Sequence, residues 1–75
     1  MNDIEFAVRG DYITLDALLK ATGLAGSGGM AKMLIAEGQA RVNGEVDTRR
    51  GRKLRPGDEV LMGDARVRLR GQAVG

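Results

Sequence analysis

Cysteine, histidine and tryptophan are absent from this sequence of 75 residues, which has one tyrosine, one phenylalanine and one proline. Without cysteine there is no disulfide and no thiol chemistry. With histidine missing as well, the usual ligands of a zinc site are gone, since carboxylates alone suit harder cations. No metal and no cofactor is expected. Lack of histidine also removes the side chain whose ordinary pKa makes it a general base near neutrality. The acids are scattered and Ser27 has no base partner in the sequence, so no enzyme is expected. With so few rings, and Phe6 expected in the core, the chain lacks a row of aromatics on which a single strand could stack. The longest apolar run, Met33 to Ala36, is far short of the roughly 20 residues of a membrane helix. The start, M-N-D-I-E-F, is acidic and shows no basic stretch followed by an apolar one. A cytoplasmic protein is expected, acting as a monomer, with no membrane and no small-molecule substrate.

What is present is basic charge in one place. Net charge is only +2, but residues 1–31 hold two bases and four acids, and residues 32–75 hold ten bases and six acids. Between Arg41 and Arg55 lie six bases (Arg41, Arg49, Arg50, Arg52, Lys53, Arg55) against Glu45 and Asp47. The surplus sits among turn residues rather than along a helix, and the obvious partner for it is a polyanion such as nucleic acid. A chain of this length forms one domain, 1–75, with a stability of about 4 to 11 kcal/mol and no second layer to enclose a catalytic cleft.

Local signals order the elements. Ile4, Phe6 and Val8 alternate with Glu5, Ala7 and Arg9, which predicts a half-buried strand over 4–8. Thr14 is placed to cap a first helix, with Ile13 and Leu18 as a hydrophobic staple and Leu15, Leu18 and Leu19 on one face. Gly23 ends it. Ser27 is placed to cap a second helix that Gly38 ends, with Ala31, Leu34 and Ile35 as its core stripe and Met30 at the edge. Gly28 and Gly29 weaken its first turn by about 1 kcal/mol each relative to alanine, so packing must hold it. The two helices are expected to form a hairpin against a sheet.

Asn43-Gly44 marks a β-hairpin between 39–42 and 45–48. A three-residue loop, pairing Val42 with Val46 and Arg41 with Asp47, separates apolar from charged side chains and is preferred on that ground over a two-residue loop. Residues 48–55 lack apolar periodicity and are expected to be a loop. Arg55-Pro56-Gly57-Asp58 fits a type II turn. A final hairpin over 59–70, turning at Gly63-Asp64, pairs Met62 with Ala65 and Val60 with Val67 inside, and Glu59 with Arg68 and Leu61 with Arg66 outside. Arg66, Arg68 and Arg70 then form a stripe that is expected to be a solvated sheet face. Residues 71–75 are expected to be a loose tail.

From Tyr12 to Val60 the chain resembles the S4 RNA-binding domain. The matching segments are L-D-A-L-L-K (15–20), G-L-A-x-S (23–27), A-x-x-L-I-x-x-G (31–38), V-N-G (42–44) and R-P-G-D-E-V (55–60). The run from Ala31 to Arg50 is similar to small free-standing bacterial YbcJ-like proteins, which are little more than such a domain with an added N-terminal strand. The resemblance implies an α+β class and an S4-like alpha-L fold, a two-helix hairpin packed on a small, mostly antiparallel β-sheet. It also implies that structured RNA, ribosomal RNA included, is held across the second helix and the first hairpin, in a ribosome-associated role. The residues then expected at the RNA are Ser27, Lys32, Arg41, Arg49, Arg50, Arg52, Lys53 and Arg55. Two departures stand out. Ile13 and Thr14 occupy the place where many S4 domains start the first helix with arginine, and Gly28 and Gly29 follow Ser27 where many have arginine. The glycines either open helix N–H groups to a phosphate or permit close backbone packing. The alternatives are a protein-interaction or ribosome-associated accessory module whose basic surface is incidental, and a helix-turn-helix DNA binder. The latter is poorly served by a second helix of Gly, Ala and Met.

Overall fold

The structure, a computed structural model, describes residues 2–72. Its elements run β1 (Asn2–Val8), β2 (Ile13–Thr14), α1 (Leu15–Ala21), α2 (Gly28–Ala36), β3 (Ala40–Val42), β4 (Glu45–Val46), β5 (Lys53–Leu54), β6 (Glu59–Met62) and β7 (Ala65–Gly71). Five strands form a sheet in the order β1-β7-β6-β3-β4, and β2 pairs with β5 in a small second one. The large sheet is antiparallel except at its edge, where β1 runs parallel to β7. The class is α+β, with two helices and a mostly antiparallel sheet.

One apolar cluster unites these parts. Leu15, Leu18 and Leu19 from α1 meet Ala31 and Ile35 from α2, Val42, Val60, Val67 and Leu69 from the sheet, and Leu54 from β5. Ile4, Phe6, Ile13 and Leu34 pack against it while half-buried. The expected stripe on α2 is therefore turned slightly: Ile35 and Ala31 lie at its centre, Leu34 at its flank, and Met30 in solvent.

The helix ends follow two different designs. Ser27 caps α2 as expected, its hydroxyl accepting from the Met30 N–H at 3.1 Å. Thr14 stands at the N-cap of α1 but accepts no helix N–H. Its hydroxyl donates to Asp16 Oδ1 at 2.6 Å, and Asp16 Oδ1 accepts the Ala17 N–H. The Leu15 and Asp16 N–H groups donate instead to the carbonyls of Arg52 and Arg50, at 2.9 and 3.1 Å. A distant segment thus satisfies the donors that a helix start leaves open.

The final hairpin matches its expected register pair for pair. The first does not. Its strands are shorter, and the loop has two residues, pairing Val42 with Glu45 and Arg41 with Val46. The turn decides this: Asn43 at φ 52° and Gly44 at φ 89° have the two positive values of a type I′ turn, whose twist suits the flanking strands. The mixing of faces is tolerated because β4 is a two-residue edge strand, and it leaves Val46 exposed. Residues 48–55 are also more structured than a loop: Lys53 pairs with Thr14 and Leu54 with Ile13. At the end of the chain Gly71 belongs to β7, and residues 73–75 of the expected tail lie outside the described residues.

Leu54 is fully buried and ties the basic segment to α1, whereas Leu34 is half-buried. Leu54→Ala is expected to cost roughly 2 to 5 kcal/mol, and Leu34→Ala less, about 1 to 2 kcal/mol. Urea unfolding of both variants checks this. Equal losses would mean that the basic segment is not anchored through Leu54.

Candidate nucleic-acid interface

The basic segment is shaped by the acid inside it. β4 ends at Val46, and the Asp47 N–H donates to the Ala40 carbonyl, which turns the Asp47 side chain inward to 7 % exposure. Its Oδ1 accepts the Arg49 N–H at 2.9 Å and Arg49 Nε at 3.0 Å, and its Oδ2 accepts Arg49 Nη2 and Arg52 Nη1, both at 2.9 Å. An aspartate that bonds the N–H two residues on forms its own turn. The Arg49 guanidinium, more than any other group, holds the Asp47 carboxyl well below the usual carboxylate range, against the opposing effect of burial. Arg49 remains 70 % exposed and Arg52 33 %.

A second set of bonds joins the hairpin turn to the type II turn. Asn43 Nδ2 donates to Asp58 Oδ1, the Glu59 N–H donates to Asn43 Oδ1, and Asp58 Oδ2 accepts the Arg55 N–H. Gly57 takes φ 98°, as the third position of that turn requires. Partial burial pushes Asp58 up, but the bonds from Arg55 and Asn43 outweigh it and leave the carboxyl below its ordinary value. V-N-G and R-P-G-D, far apart in sequence, are one bonded unit.

Between these anchors Arg49, Gly51, Arg52, Lys53 and Arg55 line an open groove of about 560 Å³. Arg50 is exposed beside it. Arg41 is exposed on β3 and lines a different concavity with Gly38, Gln39, Leu61 and Gly63. Ser27 and Lys32 are exposed on α2 and line neither. Among the described residues Lys32, Arg41, Arg50, Lys53 and Arg55 form no ion pair within 4.0 Å. The outer stripe differs. Arg66 lies 3.9 Å from Glu59 and 4.0 Å from Asp3, Arg68 is 3.6 Å from Glu59, and Arg70 is 3.9 Å from Glu5. The neutralising acids come from β1 as well as β6. At Gly28 and Gly29 an added Cβ would meet nothing nearer than 3.8 Å, so close packing does not require glycine at either position.

Residues 6–70 match the S4 domain family. The chain belongs to the S4 domain family. Within it, the chain is 50% identical over 50 residues to a Bacillus subtilis protein provisionally named ribosome maturation protein RlbA, covering 67% of this chain and 70% of the relative. It is 45% identical over 49 residues to YbcJ of Escherichia coli, provisionally named an RNA-binding protein, covering 65% of this chain and 70% of that one. For this S4 domain, sequence reasoning missed Asp47, whose signal was a single acid within D-x-R in an otherwise basic tract. It also missed the exposure of Tyr12.

Asp47 is the residue whose removal separates these effects. Its carboxyl is depressed in the folded state, so the stability it contributes is present above the unfolded carboxylate value, near pH 4, and is lost as pH falls through the folded value. Asp47→Asn is expected to cost about 1 to 3 kcal/mol at neutral pH. The gap to wild type should hold from about pH 7 to about pH 4 and narrow as pH falls on to about 2. Urea unfolding across that range checks it, and a gap that does not change with pH would show that the ion pairs contribute nothing.

Proposed function

We propose that this S4 domain is a non-catalytic RNA-binding module of the bacterial cytoplasm that holds structured RNA through phosphates and shape. The observation that carries this reading is the groove of Arg49, Arg52, Lys53 and Arg55, open to solvent and concentrated on one side of the molecule. The names of the two relatives, one for RNA binding and one for ribosome maturation, support it and make ribosomal RNA the first candidate. Arg50, Lys53 and Arg55, with Lys32 and Arg41 from neighbouring elements, are assigned to phosphates. Arg49 and Arg52 are held by Asp47 and keep N–H donors beyond those bonds, because a guanidinium has five. They therefore present fixed rather than searching cations, which lowers the ordering cost of binding. Ser27 fixes the start of α2. The protein acts as a monomer in this reading, and recognition is of an RNA surface rather than of a base sequence.

The exposed side chains of Met30, Met33 and Val46 favour a second reading, a protein-docking module whose basic groove is incidental. RNA affinity separates the two. Structured RNA is expected to bind more tightly than duplex DNA of equal length, with affinity falling steeply as salt rises. Arg50→Ala with Arg55→Ala should lower the log–log salt slope by about 0.7 to 0.9 for each lost phosphate contact. Arg66→Ala with Arg68→Ala should leave it nearly unchanged. Neither pair removes a bond to Asp47, so thermal melts should move little. Equal affinity for RNA and DNA leaves only a general polyanion binder, and an equal effect of the two double variants moves the binding face to the sheet.

A further inference from the structure

Tyr12 is 43 % exposed, whereas Phe6, the other aromatic residue, packs against the core. The core does not explain the position of Tyr12, but β2 does. Ile13 pairs with Leu54 and Thr14 with Lys53. Side chains alternate along a strand, so Ile13 and Leu54 turn to the apolar cluster, and Lys53 turns to the opposite side, where it meets Tyr12. Lys53 Nζ lies 5.0 Å from the centre of the Tyr12 ring, within the range of a cation–π contact. Lys53 and Arg55 both line the basic groove. A flat π surface therefore stands against Lys53, one of the cations that line a groove suited to phosphates.

We infer that Tyr12 stacks an unpaired nucleobase of the bound RNA while Lys53 holds the adjoining phosphate. The site then selects structured RNA that carries an extruded nucleotide beside a helix. This rests on the RNA-binding reading above and specifies its target. Cations alone do not distinguish a smooth duplex from one with a base turned out, because both present phosphates. A ring does, because a base offers its π face only when it has left the stack. The single exposed ring suits one such base and not a run of single strand.

The probe is an RNA hairpin whose stem carries one unpaired 2-aminopurine, compared with the same hairpin lacking that nucleotide. Wild type is expected to prefer the bulged hairpin and to change its 2-aminopurine fluorescence on binding. Tyr12→Ala should weaken binding to the bulged hairpin roughly 5- to 150-fold and leave the smooth hairpin unaffected. Its salt slope should stay that of wild type, since the ring has no charge, and Tyr12→Phe should retain the preference. Lys53→Ala should weaken both hairpins and lower the slope by about 0.7 to 0.9. If Tyr12→Ala weakens both hairpins equally, the ring only props Lys53 and the stacking role is overturned. If it weakens neither while wild type binds both, stacking is overturned and the RNA-binding reading stands. A wild type that binds neither hairpin overturns both readings.

Discussion

The carboxylate of Asp47 is the point on which the basic side of the molecule depends. Burying a charged group without partners is costly, and Asp47 is nearly sealed from solvent. Four N–H donors from Arg49 and Arg52 offset that cost and fix the path of the chain from 47 to 52. The path has a further effect, because it puts the carbonyls of Arg50 and Arg52 over the first turn of α1. Helix start, basic segment and buried acid are thus mutually supporting, and an alteration at any of them is felt by the others.

Two arrangements of arginine coexist in the chain and have opposite electrostatic outcomes. On the sheet, Arg66, Arg68 and Arg70 face Asp3, Glu5 and Glu59 across the strands at 3.6 to 4.0 Å, and their field is largely cancelled close to the surface. In the segment after β4, a single acid is shared by Arg49 and Arg52, and Arg50, Lys53 and Arg55 form no ion pair within 4.0 Å among the described residues. A nearly neutral protein can therefore present a strongly positive side.

What the sequence made legible was local. Gly63-Asp64 set the register of the last hairpin, Ser27 its own helix end, and Pro56-Gly57 its turn, because each depends on residues a few positions apart. The contacts that were not legible join residues far apart. Leu54 is an isolated apolar residue in a basic tract, with no period to reveal it, and its partner Ile13 lies about forty residues earlier. Patterning also misjudged the first hairpin, because separating apolar from charged faces matters less on a two-residue edge strand than the twist imposed by Asn43 and Gly44. Of the candidate site, the bases on the groove were visible as a cluster. That two of them are held by Asp47 was not, since a charge count cannot tell a tethered cation from an unpaired one.

The parallel pairing of β1 with β7 bears on the order in which the molecule can assemble. Its partners lie roughly sixty residues apart, the longest closure in the fold. During synthesis Ile4 and Phe6 emerge early and wait uncovered until β7 has left the ribosome. From its pairing with β6 until β1 joins it, β7 is itself a sheet edge with unused backbone groups. Such an edge invites association with other chains, and charged side chains discourage it. Arg66, Arg68 and Arg70 stand at alternate positions on that edge. Charge at these positions disfavours such association until β1 covers the edge and brings Asp3 to Arg66 and Glu5 to Arg70.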